Sequence, residues 1–416
     1  MTRTQGIAVR RDGRGPTGPA GPAGLMGPAG AAGPVSRGRP GAASLRRFCR
    51  RLEGQFTRAE PREHAYAYLC SLLSQTTGTP TGWADGRNRL LTTTRWDEDQ
   101  VRDMVRDVVV EHLGSPDAVL VLAEEGFVKK GDHSAGVERQ YCASTGRADN
   151  YQIGLFLLYA DSPGTVSVID RELLLPSSWR EGTPRCERAG IPPGLHRGDR
   201  GEPAAAMVER ALDAGVPARW VVTDTPGFGD SPRLRAALEA RRMPYVLSSA
   251  ESASFGRTAG IDGFERWRVA RWDGGSYVCF APRGTECGAL REAMGRAALA
   301  APCLAAARRE AALDRYAVRQ WRAWYRHMTL AMFAHAFLTV GRGGQLWQRG
   351  TGRTHPVRGG TVGASAYALP FTDASFLAGL AGVRGVGAAA RRSDPARLRG
   401  LAAGGGPVAH TELADG

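Results

Sequence analysis

The chain has 416 residues, enough for two or three domains around a sizeable buried core. Its formal net charge of +14, carried almost wholly by arginine because Lys129 and Lys130 are the only lysines, points to a polyanionic partner. Nucleic acid ranks ahead of an anionic membrane surface. The seven cysteines form no CxxC pair, which argues against a zinc ribbon or a disulfide scaffold and for a reducing compartment. The N-terminus lacks an apolar signal core, and the longest apolar stretch, Met328 to Val340, is too short to span a bilayer. A soluble cytoplasmic protein is expected.

Residues 1–43 carry Gly15, Gly18, Gly21, Gly24, Gly27, Gly30 and Gly33 at every third position, with Pro and Ala between. This collagen-like tail is too short for a stable triple helix and is expected to be disordered. The next region, 44–114, reads as helical. Ser44 is a candidate N-cap, and Leu45, Phe48, Cys49 and Leu52 form a buried stripe at helical spacing. Asp97 to Leu113 gives a second amphipathic helix, closed by Gly114.

Strand and helix then alternate through 115–340. Ala118–Ala123, Gln152–Tyr159 and Thr165–Ile169 read as strands, with Asp161-Ser-Pro-Gly as a turn between the last two. A helix over Ala204–Ala214, a buried strand over Arg219–Thr223 and a helix over Ser231–Arg241 follow. Segments at 243–249, 266–271 and 276–280 predict a β insertion at about 243–285. One long helix from Glu286 to Leu313 and another from Val318 to Val340 close the series. The expected fold class is α/β, a ribonuclease-H-like (retroviral integrase) core with an inserted β region and an N-terminal helical region. The Gly/Ala-rich tail, 341–416, shows no periodicity and is expected to be poorly ordered.

Several motifs together are specific. They include Val119-Leu-Val-Leu-Ala-Glu-Glu-Gly-Phe-Val-Lys-Lys-Gly131, Ser134-Ala-Gly-Val-Glu-Arg-Gln-Tyr141, Gln152-Ile-Gly-Leu-Phe156 and Ile169-Asp-Arg-Glu-Leu-Leu-Leu-Pro-Ser-Ser-Trp179. Leu313-Asp-Arg-Tyr316 and Trp324-Tyr-Arg-His-Met-Thr-Leu-Ala-Met332 complete the set. From about Trp96 to Leu338 the chain resembles bacterial insertion-sequence transposases of the DDE type, specifically insertion-sequence family 701. The resemblance implies a DNA transposase that cuts and joins double-stranded DNA at the element's terminal inverted repeats. It would use Mg²⁺ and work as a homo-oligomer on DNA, away from any membrane. It also implies that the N-terminal helical region grips DNA ends, although the stretch from Thr76 to Leu91 is short against the family pattern.

Phosphodiester cleavage of this kind uses two metal ions about 3.5–4 Å apart. Mg²⁺ takes hard oxygen ligands, and the resemblance implies that two Asp and one Glu would hold the pair. By the resemblance, Ala123 stands at the first acid and Asp224, in Trp220-Val-Val-Thr-Asp224, at the second. Ala301 stands at the helix acid, with Arg308 in place of a lysine seven residues later. Asp224 is the remaining acid and the metal ligand if there is any; Lys129, Lys130 and Arg308 are the DNA-binding candidates. Glu124 points to the other face of the strand from Ala123. Glu125 shares that face but lies roughly 6–7 Å along it. Glu292 and Glu310 fall on the far side of a continuous helix from Ala301.

Asp224-Thr-Pro-Gly-Phe-Gly-Asp230 imitates a GTPase switch, but neither lysine sits in a Gly-Lys-Ser or Gly-Lys-Thr phosphate loop. That class is excluded. The reading is a DDE transposase by family, catalytically impaired in this copy; the alternative is a non-catalytic DNA-binding remnant.

Overall fold

The computed structural model describes residues 42–74, 84–142, 147–162, 165–195, 199–252, 256–258, 260–261, 263–271 and 274–342. The collagen-like segment (apart from Ala42 and Ala43), the Gly/Ala-rich tail from 343 onward, residues 76–83 of the short stretch, and Pro163 and Gly164 of the expected turn lie outside them.

The chain begins with α1 (Ala42–Cys49), which passes into a 3-10 turn, Arg50–Gln55. Ser44 therefore sits inside the first turn and is no cap. The stripe reading holds for Leu45, Phe48 and Leu52, which are buried, while Cys49 is half-buried. Then come α2 (Ala59–Ser74), α3 (Ala84–Thr92) and α4 (Glu98–Leu113). The Asp97 carboxylate caps α4 by accepting from the N–H groups of Asp99 and Gln100, at 2.9 and 3.1 Å. A Cβ at Gly114 would lie 2.4 Å from the Val110 carbonyl, so only glycine allows the chain to leave the helix there.

The sheet strands are β1 (Val119–Lys129), β2 (Glu138–Cys142), β3 (Arg147–Ser162) and β4 (Thr165–Leu173). After α5 (Pro184–Ala189) and α6 (Gly201–Asp213) come β5 (Trp220–Thr223), α7 (Pro232–Ala240) and β6 (Tyr245–Ser249). β7 (Gly256–Thr258), β8 (Phe264–Ala270) and β9 (Ser276–Pro282) follow, then α8 (Cys287–Ala297), α9 (Ala300–Ala311) and α10 (Trp321–Arg342).

All the strands join one mixed sheet ordered β2-β3-β1-β5-β6-β9-β8-β7, with β4 on β3. β3 is antiparallel to β1, β2 and β4, whereas β5 is parallel to both β1 and β6. The expected insertion at 243–285 is thus divided. β6 belongs to the parallel part, and β9, β8 and β7 extend the same sheet as antiparallel strands. β1 is also longer than its apolar run suggests, because β3 pairs with it from Val119↔Ala160 to Lys129↔Asn150. Lys129 is therefore strand rather than loop.

The single helix expected over 286–313 is two helices. Pro302 has no N–H and its ring would meet the carbonyl four residues earlier, so the helix breaks at 298–299 and Pro302 falls in the first turn of α9. The helical-wheel relation of Glu292 to Ala301 lapses with that break.

α10 is buried from Ala323 to Val340, on every side. A helix apolar all round needs cover all round. α2, α3, α4, α9 and β4 supply it, with Phe48 of α1 4.6 Å from Phe333 and 5.3 Å from Phe337. Trp324, Tyr325, Met328 and Met332 are core, and Trp321 is half-buried against it. Among the described residues no helix is long and apolar enough to cross a membrane.

Candidate active site

Side chains alternate along β1, so Ala123, Glu125, Phe127 and Lys129 share one face and Glu124 takes the other. Ala123 is buried opposite Phe156 of β3. On the other flank β1 and β5 are in parallel register through Val121↔Val222. Two residues further on stand Ala123 and Asp224, so the structure brings these positions to one level at the carboxyl end of β5. This end of a parallel pair is where open α/β sheets place their ligand crevices.

Ala301 lies elsewhere. It is exposed at the start of α9. Cys303, two residues on, has its thiol against the Val166 carbonyl, and Val166 pairs with Ala160, itself opposite Val119. This end of α9 therefore packs on β4, level with the beginning of β1. The far end of the helix reaches up the strand, where Arg308 donates to Glu125 and, at 3.4 Å, to the Gly126 carbonyl.

The carboxylates of Glu124, Glu125 and Asp224 each meet an arginine. Arg200 Nη1 is 3.1 Å from Glu124 Oε1, and Arg308 bridges Glu125 and Asp314. Burial pushes both glutamate carboxyls up, against the pull of their arginines. Asp224 Oδ1 accepts from Arg271 Nη1 at 3.0 Å and from the Tyr277 hydroxyl at 2.8 Å. Arg271 also donates to the Asp224 carbonyl and to the Ser248 hydroxyl, and its guanidinium lies 4.9 Å from the centre of the Tyr277 ring. Neither Arg271 nor Tyr277 was singled out in the sequence. They stand 47 and 53 residues from Asp224, and only the pairing of β9 with β6 and β8 delivers them.

The basic candidates separate. Lys130 is exposed just beyond β1. Lys129 folds back, its ammonium 3.2 Å from the centre of the Tyr316 ring, and burial lowers its pKa to about 7 against the pull of Asp314. Arg308 is engaged by the acids named above. At the other edge, Asp170 and Glu172 share Arg210, and Glu172 also accepts from Tyr325, so these strand-end acids are structural. Among the described residues no group of three His, Cys, Asp or Glu side chains is placed to hold a metal ion.

Residues 51–259, half of the chain, match the family described as DDE superfamily endonuclease. The chain belongs to that family. The match runs from the first helical turns through β7, so it includes both Ala123 and Asp224; Ala301 and Arg308 lie beyond it. A DDE superfamily endonuclease acts on DNA and typically uses divalent metal ions for strand cleavage. No curated protein matches the sequence.

Proposed function

We propose that this DDE endonuclease is a DNA-binding member of the insertion-sequence 701 transposases whose strand-cleaving chemistry is impaired. The observation that carries this is the state of Asp224. Where the family places its first acid beside it there is a methyl group, and its own Oδ1 is taken up by Arg271 and Tyr277. The ribonuclease-H-like reading draws support from the strand order: antiparallel β4-β3-β1 continuing into parallel β5 and β6.

A metal pair would supply an activated water or 3′-hydroxyl and a stabilised leaving oxygen. The donor set does not fit such a pair. Mg²⁺ needs several hard oxygens in near-octahedral array. One aspartate, already hydrogen-bonded on one oxygen, stands level with Ala123 in the sheet, while Ala301 is exposed on α9. Glu124 and Glu125 do not substitute, because each is ion-paired and flanks the position rather than occupying it.

Binding to DNA does not require those acids. The net charge of +14 and the exposed Lys130 just beyond β1 favour contact with phosphates. The partner is then double-stranded DNA at the terminal inverted repeats, bound by a homo-oligomer in the bacterial cytoplasm, with helices α1 to α4 as a candidate DNA grip. The test compares the natural chain with the Ala123→Asp, Ala301→Glu variant on DNA carrying the repeats that flank the gene. Retarded migration without Mg²⁺-dependent nicking is expected of the natural chain. Failure to bind these ends more tightly than unrelated DNA would refute the reading.

A further inference from the structure

We infer that Arg271 takes the place a divalent ion would hold beside Asp224, so that restoring a carboxylate at position 123 does not by itself rebuild a metal site. This rests on the reading of Asp224 as the family's acid.

The route by which Arg271 arrives is built into the extended part of the sheet. Ser248 of β6 pairs with Tyr277 of β9, and Tyr277 pairs with Val269 of β8. Arg271 lies two residues beyond Val269, and its N–H donates to the Gly275 carbonyl at 2.8 Å across the turn. The strands therefore set Arg271, Tyr277 and Ser248 together against the carboxyl end of β5. The guanidinium is well fixed: only 11% of the side chain is exposed, and it is held by the Asp224 side chain and carbonyl, the Ser248 hydroxyl and the Tyr277 ring.

The Asp224 carboxylate meets the Arg271 guanidinium at 3.0 Å, and a planar arginine fork is well suited to stand as its counter-ion. An incoming divalent ion would have to sit beside this fixed positive charge while competing with two donors for Oδ1. Asp224 Oδ2 makes no hydrogen bond among the described residues, so the carboxylate retains one open oxygen. A new Asp at 123 adds a second carboxylate at the same level, but leaves the guanidinium in place on Oδ1 of Asp224. Removing the charge while keeping a hydrogen-bond donor should free the site.

Mn²⁺ binding to the full chain, followed by the electron paramagnetic resonance signal of the free ion, tests this. The comparison is between Ala123→Asp alone and Ala123→Asp combined with Arg271→Gln or with Arg271→Lys. The glutamine combination should bind at least tenfold more tightly than the other two, since lysine keeps the charge, and Asp224→Asn should abolish the gain. Arg271→Met serves the same comparison if the glutamine protein does not fold. Equal affinity with and without Arg271, at any level including none, overturns the inference. Mg²⁺-dependent cleavage by the natural chain would instead overturn the impaired-site reading beneath it.

Discussion

The Tyr68 hydroxyl donates to Nδ1 of His327 across 2.6 Å, joining α2 to α10 in the middle of the core. The other ring nitrogen, Nε2, faces the Leu313 carbonyl at 3.2 Å. A carbonyl only accepts, so Nε2 carries the proton and Nδ1 receives the tyrosine's. The ring is neutral and fully committed, which suits a packing histidine and leaves nothing for a metal.

Burial lowers both His327 and His335 to about 4. Below the ordinary histidine range of about 6.5, the unfolded chain then binds protons that the folded chain refuses. Stability is fully present above pH 6.5 and is lost as pH falls through 4. Urea unfolding at pH 7 and pH 4.5 should show a loss on the order of 2–3 kcal/mol per histidine. A His327→Gln variant should show a shallower pH dependence over the same window.

Lys129 behaves in the opposite pH range for the same reason. Its pKa in the folded chain is about 7, below the unfolded lysine value, so the folded state holds fewer protons between the two. Stability should rise as pH increases from 7 to 10. Lys129→Met should raise the thermal midpoint at pH 6, and the gain should shrink at pH 10. A variant less stable than the natural chain at pH 6 would show that the ammonium over Tyr316 outweighs its burial.

Arg326 ties the N-terminal helices to α10. Its guanidinium donates to the carbonyls of Leu91 and Trp96, both at 3.2 Å, and to Glu98 at 3.2 Å. It thereby closes the end of α3 and the start of α4 with one side chain. Arg326→Met would strand those carbonyls and a half-buried carboxylate, at a cost of about 3–5 kcal/mol by the behaviour of broken buried pairs. Denaturant titration checks this; a loss under about 1 kcal/mol would mean that Arg322, which also reaches Glu98, suffices.

How much of this was legible in the sequence varied with the range of the interaction that decides it. The α4 cap, the buried β5 and the all-buried α10 follow from local residue types, and the structure has them within three residues of their expected limits. The length of β1 was not readable, because Glu124 to Lys129 become strand only by pairing with β3. β2 was missed for the same cause: it is polar and exists as an edge on Arg147–Tyr151. At the site, Asp224 was identified from its motif, yet Arg271 and Tyr277 carry no local signature. Only sheet register brings them there. Pro302 is the local signal for the α8–α9 break, which the expected single helix over Glu286 to Leu313 did not include.

The most direct measurement is Mg²⁺-dependent nicking of DNA bearing the flanking inverted repeats, followed over hours with the unmodified chain in excess over DNA. The Asp224→Asn variant sets the background. No cleavage above that background is predicted. Cleavage that Mg²⁺ supports and Asp224→Asn abolishes would show that this aspartate still anchors working metal ions, and would contradict the account.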